Sequence, residues 1–358
     1  MSNISQTWML WAILLAIAAF GLWAERLRWG ARTSAVIVTL VTAMLAANIG
    51  LIPDQSEVYD IIRTYLVPLA IPMLILKSDV IHGWRDLGLV AGAMVLSIVS
   101  AAVGTFLVAH FLPASINTTD WISSTLSGLA GGHSTSPVQS LILAGYLILL
   151  FFLPSVRGIR QWFHEPIPQD RWGSTVEILI TEHRKGNRLY LPSITLTLAL
   201  SAIICTASYA FAPQIGLGGN ELFLIATISL LISLVLPKRI VELSGAEDIG
   251  ILIMLLLFTV IGASADFSAL TRQPGLLATT GLVLVIQTTI LLVAGKYLRL
   301  SLPQLVIAAN ASVGGAASAT AMAAARRWHT LLYPAVLYAT IGQMAAKPVA
   351  DLLSRWLW

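Results

Sequence analysis

Ten predominantly apolar runs dominate this chain: Trp8–Ala24, Ser34–Ile52, Ile61–Leu76, Leu87–Leu112, Val138–Leu153, Leu191–Ala212, Glu221–Leu236, Ile249–Ala265, Gly275–Ala294 and Leu331–Leu353. A helix needs roughly 17–25 such residues to cross a bilayer. The third, fifth and seventh runs are short, at 16 residues. With 57% hydrophobic and 11% charged residues and a mean hydropathy of +0.83, the chain carries too much apolar surface for a water-soluble fold. The expected class is an all-α polytopic protein of the cell (inner or plasma) membrane, with the lipid bilayer as its first partner.

Lys and Arg set the expected orientation. Seventeen of the 21 fall in loops on one side, leaving Arg63, Arg272, Lys347 and Arg355 on the other. Basic loops face the cytoplasm, so the N-terminus is expected outside. The same pattern explains the formal charge of +4 without nucleic acid as a partner. Trp8–Ala24 has neither a basic stretch before it nor a small-residue cleavage site after it, and is read as a retained first span rather than a signal peptide. Cys205 is the single cysteine, so no intramolecular disulfide is available.

Two glycine-rich stretches stand apart from the ten runs, Trp121–Pro137 and Leu302–Ala325. Around them the chain reads as two halves, 1–153 and 191–358, joined by a polar connector, 154–190. Each half has two spans, a span ending near an aspartate (Asp79 or Asp266), a long span, a Gly-Gly segment and a closing span. If the Gly-Gly segments re-enter, each half crosses five times. Five is odd, so the second half is inverted relative to the first, as in many secondary transporters. If the second segment crosses instead, Arg326 and Arg327 exchange sides with Lys347 and Arg355 and the tally of basic residues is unchanged. The connector contains Trp162, His164, Glu165 and Trp172. It is too short for its own core and is expected to lie on the cytoplasmic side, with its tryptophans at headgroup level.

The candidate binding residues follow the glycines. In the first half they are Gly131, Gly132, His133, Ser134, Thr135 and Ser136; in the second, Asn310, Ser312, Gly314, Gly315, Ser318 and Thr320. A backbone break at membrane depth needs protein or a wet cavity to satisfy the freed N–H and C=O groups. Broken helix ends also aim dipoles at a ligand. The competing reading is plain helix packing, for which small residues are also used. Neutral oxygens of this set suit sodium or a polar solute. His133 can titrate or hold an anion, or simply bond a carbonyl. Asp79 and Asp266 are candidates for coupling a cation or proton, and equally for capping a helix end. Gln287 is read as interhelical bonding before substrate contact. Pro68 and Pro72 are expected to kink the third span and free carbonyls there.

Ser134 beside His133 lacks the geometry and the third member of a catalytic triad. The sequence shows no metal-ligand spacing, P-loop or dinucleotide fingerprint. No catalytic residue, metal centre or cofactor is expected.

Three motifs in order carry a family resemblance: Leu66-Val67-Pro68-Leu69-Ala70-Ile71-Pro72-Met73-Leu74-Ile75-Leu76-Lys77-Ser78-Asp79, then Phe258-Thr259-Val260-Ile261-Gly262-Ala263-Ser264-Ala265-Asp266, then Ala309-Asn310-Ala311-Ser312-Val313-Gly314-Gly315. The chain resembles the YjcL-like family of bacterial integral membrane proteins, a domain of unknown function. It is similar in layout to the cation/proton antiporter and anion transporter grouping. That resemblance implies inverted repeats, elevator-type movement and a homodimer. Gly131-Gly132-His133-Ser134-Thr135 is similar to the re-entrant loop of sodium–glutamate and sodium–citrate symporters, although His-Ser-Thr-Ser-Pro stands where an asparagine is expected after the glycines.

The function expected from these readings is secondary active transport of a small solute, an organic anion or amino acid, coupled to Na+ or H+. The alternatives are an ion channel or pore and a non-transporting membrane scaffold or regulator.

Overall fold

The structure, a computed structural model, describes residues 3–27, 34–76, 80–110, 137–163, 191–235 and 246–356. Each of the ten apolar runs carries a helix. They are α1 (Asn3–Glu25), α2 (Ala35–Asn48), α3 (Glu57–Ile75), α4 (Val80–His110), α5 (Pro137–Phe152), α7 (Leu191–Phe211), α8 (Glu221–Val235), α9 (Ala246–Ala263), α10 (Pro274–Tyr297) and α13 (Leu332–Trp356). A short α6 (Arg157–Phe163) follows α5, and the second glycine-rich stretch forms α11 (Leu302–Val313) and α12 (Gly315–Ala325). Among the described residues there is no strand. Among the described residues six helices are long and apolar enough to cross a membrane: α1, α3, α4, α5, α7 and α10.

The second run is longer than its helix. Gly50 takes a left-handed conformation at φ +79°, and the Leu51 N–H reaches back to the Ala46 carbonyl at 2.9 Å. This closes α2 at Asn48, four residues before the apolar run ends. In α3 Pro72 frees a carbonyl, as expected, and a specific device accompanies Pro68. A π-helical turn, Ile62–Leu66, precedes Pro68, with the Val67 N–H bonded to the Ile62 carbonyl. Pro72 has no N–H for the Pro68 carbonyl four residues back. The Cys205 thiol donates to that oxygen instead, at 3.4 Å.

The helix faces are inverted relative to a water-soluble protein. On α4, Ser97, Ser100 and Thr105 are fully buried, whereas Val95, Val99, Val103 and Phe106 are exposed. On α7, Ser193, Thr197, Ser201 and Ser208 are buried, and Leu196, Ile203 and Phe211 are exposed. Hydroxyls turned inward and branched aliphatics turned outward are stable only where the surroundings are hydrocarbon. Ser100, Thr105 and Thr197 satisfy themselves on the preceding turn, Thr105 on Ala101 (2.8 Å) and Thr197 on Ser193 (2.8 Å).

The chain packs as two compact units, each drawing on both halves of the sequence. One comprises 1–83, 166–264 and 320–333; the other comprises 84–165, 265–319 and 334–358. In the first, α3 packs on α9, α2 on α9, α8 on α3, α1 on α9, α7 on α3, α1 on α2 and α7 on α8. Exchanging α1, α2 and α3 for α7, α8 and α9 turns this set of pairs into itself. Close approach there depends on Gly262, where an added Cβ would overlap the Leu40 carbonyl oxygen and press on Ala43. Gly262→Ala is expected to lower stability by about 1–3 kcal/mol, because α2 and α9 must separate to admit one methyl group. Thermal unfolding of the detergent-solubilised protein measures it.

In the second unit, α10 packs on α5 and α11, and α11 on α5. Gly104 of α4 lies against the Val283 carbonyl of α10, and Gly342 of α13 against Met94 of α4. The Tyr146 hydroxyl and Thr288 Oγ1 meet at 3.1 Å across the α5–α10 contact. Trp162 of α6 lies half-exposed, with Lys296 Nζ 4.5 Å from its ring centre. This cation–π pair joins two segments that the basic-residue pattern places on the same side.

Candidate functional site

Ser301 starts α11 with a capping box. Its Oγ accepts from the Gln304 N–H at 3.4 Å, and Gln304 Oε1 accepts from the Ser301 N–H at 3.0 Å. Pro303 falls in the first turn, where its missing N–H costs nothing. The helix ends at Gly314, and Gly315 turns the chain at φ +77°, in the left-handed region. No side chain but glycine enters that region freely.

Asn310 and Ser318 pin the turn from both sides. Asn310 Nδ2 donates to the Ser318 carbonyl at 3.0 Å, and Ser318 Oγ donates to Asn310 Oδ1 at 2.9 Å. Eight residues of straight helix would separate these positions by about 12 Å, so the reciprocal pair exists only because the helix breaks and the chain turns at Gly314-Gly315. Asn310 and Ser318 are buried. Gly314 is needed for the same bracket, since a Cβ there would collide with Asn310 Oδ1 and Ser318 Oγ. Thr320, two residues further along α12, is fully buried.

Ser312, in the last turn of α11, belongs to a second cluster. Gln287 of α10 donates through Nε2 to Ser312 Oγ (2.9 Å) and to Ser97 Oγ of α4 (3.2 Å). The two hydroxyls meet at 2.9 Å, and Ser312 Oγ also donates to the Ala309 carbonyl at 3.0 Å. Gln287 and Ser97 are fully buried. Gln287 therefore does bond between helices, as its place in an apolar run suggested. Ser97 is a residue that sequence reading missed. Its signal was present in the run Ser97, Ser100, Thr105, a polar stripe on one face of an apolar helix.

The other expected site residues divide in two. Gly131, Gly132, His133, Ser134, Thr135, Ser136 and Asp79 lie outside the described residues. Asp266 is described and sits in the turn after α9. Its Oδ1 accepts from the Ser268 N–H at 2.7 Å and its other oxygen from the Ser268 hydroxyl, which is the geometry of a turn cap. These bonds, the hydroxyl's first and then the backbone's, hold its carboxyl below the usual carboxylate range, with a smaller push from Arg272. A depressed folded pKa stabilises above the unfolded value of about 3.9 and ceases to do so as pH falls through the folded one. The stability gap between wild type and Asp266→Asn is thus expected to be open at neutral pH and to close below about pH 4, as thermal unfolding across pH will show.

At the far end of α12, burial pushes the Arg326 guanidinium down to about 10, against the pull of Glu25 at the end of α1. His329 Nδ1 lies 3.5 Å from Glu247 Oε1 in the first turn of α9. Within this unit, then, the end of α12, the end of α1 and the start of α9 share one side.

Inverted faces and, among the described residues, six membrane-length helices with a polar helix pair broken at Gly314-Gly315 define a multi-pass α-helical membrane protein. The chain belongs to the family described as protein of unknown function DUF819, whose profile matches residues 12–136 and 134–358. It is 26% identical over 385 residues to the uncharacterized membrane protein YjcL of Bacillus subtilis strain 168, covering 98% of this chain and 96% of that protein.

Proposed function

We propose that the protein is a secondary active transporter of a small solute, an organic anion or amino acid, coupled to Na+ or H+, and that it works by an elevator-type movement. The observation that carries this reading is the α11–α12 hairpin. At 12 and 11 residues, each arm is about 18 Å long or less, short of the roughly 30 Å hydrocarbon core. The Asn310–Ser318 bracket closes a sharp turn between them, which we read as re-entry. A re-entrant segment of this kind is stable at membrane depth only where its broken end lines a protected or wet site. Arg326 lies on the side of Glu25 and Glu247, and the basic-residue pattern puts those two at the cytoplasm, which agrees with re-entry.

Two further features support the reading. The pair pattern within the first unit, unchanged on exchanging α1–α3 for α7–α9, is what an internal repeat produces. The packing of the chain into two units, each taking part of both halves, suits a carrier in which one body moves against another. The unit that holds α11 and the Gly314-Gly315 break would be the moving body. Reconstitution into proteoliposomes tests the proposal. Accumulation of a carboxylate or amino acid driven by a sodium or proton gradient is the expected result. Current without a driving co-ion points to a pore, and no flux of either kind overturns the carrier reading.

A further inference from the structure

Gln287 carries an oxygen that the fold leaves unused. Its Oε1 is buried and has no hydrogen-bond partner among the described residues. The hydrogens around it are all committed. Ser312 gives its one hydrogen to the Ala309 carbonyl, so in the 2.9 Å contact with Ser97 the donor is Ser97. Gln287 Nε2 spends its two hydrogens on Ser97 and Ser312. Ser312 is then saturated, one lone pair is left on Ser97, and both lone pairs are left on Gln287 Oε1. Turning the amide over would let the Ser97 hydroxyl turn to Oε1 but would leave two buried N–H donors unpaired in place of one acceptor, so the network favours the orientation given. The surplus is entirely of acceptors. The cluster also adjoins the last turn of α11, a 12-residue helix whose carbonyl end is the negative pole of its dipole.

We infer that Gln287 Oε1 and Ser97 Oγ, beside the end of α11, bind a monovalent cationic centre. Neutral oxygens with no hydrogen to offer repel an anion and welcome either a dehydrated sodium ion or an ammonium group. The two sources differ in role: sodium would be the coupling ion, an ammonium group part of an amino-acid substrate. The inference deepens the carrier reading and rests on it only for that role, because binding is measurable without transport.

The test is the thermal unfolding midpoint of the full-length protein in detergent. Sodium chloride and methylammonium chloride are each titrated against choline chloride at constant ionic strength. A saturable rise with sodium identifies an ion site, and one with methylammonium alone identifies an ammonium site. Gln287→Met should weaken the response by about 10- to 100-fold, the usual cost of disturbing a cation's ligand set. Gln287→Glu supplies a carboxylate that Ser97 can turn to face; it should strengthen the response and keeps the test decisive if the Met variant fails to fold. Equal midpoints in all three salts, or a Glu variant responding as wild type does, overturn the site. Binding without any solute flux counts against the carrier reading alone, and flux without binding counts against the site alone.

Discussion

Asn310→Ala is expected to lower the stability of the purified protein by about 2–3 kcal/mol, the loss of two buried hydrogen bonds and of the amide that fills the turn. The effect should be unequal across the bracket. The bond from Asn310 Nδ2 runs to the Ser318 backbone carbonyl, which an alanine keeps, so Ser318→Ala gives up less, about 1 kcal/mol. Hydrogen bonds between membrane helices average only about 0.6 kcal/mol in double-mutant cycles, because the unpaired groups find other partners in the bilayer. Here the two bonds are reciprocal and close a turn that neither arm holds alone. A cycle of Asn310→Ala and Ser318→Ala should therefore return about 1–2 kcal/mol of coupling. Additivity of the two variants would mean that Gly314 and Gly315 make the turn without the bracket.

The same residues show how far the sequence was legible. Ten apolar runs led to ten helices because in hydrocarbon the backbone has few other ways to satisfy itself. Helix ends were less legible: Ser34–Ile52 read as one span, yet α2 stops at Asn48, and nothing in hydropathy marks a left-handed Gly50. The break at Gly314-Gly315 and its companions Asn310 and Ser318 could be named from sequence, since polar residues beside glycines in an apolar stretch have few other uses. Their pairing across eight positions could not, because it depends on the fold-back itself. Ser97 and Gln287 are 190 residues apart, and only the packing of α4 on α10 brings them together. Asp266 reads equally as a coupling acid or a helix-end cap, and its partner, Ser268, comes from the turn beyond it.

Gly315 offers the sharpest functional test, because its requirement is conformational rather than chemical. At φ +77° an L-residue costs about 1–2 kcal/mol, least for asparagine and most for a β-branched side chain. Gly315→Asn, Gly315→Ala and Gly315→Val thus form a graded series that adds no charge to the site and leaves Asn310, Ser318 and Gln287 in place. If the hairpin tip carries the transported solute past the bilayer midplane, small shifts of the tip act on the rate far more than on stability, since a misplacement of about 1 Å can cost on the order of a hundredfold. The expected result in proteoliposomes is gradient-driven uptake falling in the order Gly, Asn, Ala, Val, with at least about a tenfold loss for Val, while the unfolding midpoint falls only modestly. Uptake that merely tracks the amount of folded protein would reduce Gly315 to a packing residue. A helical hairpin used only to fill space has no reason to be more sensitive in flux than in stability, so the ratio of the two losses separates a working tip from a structural one.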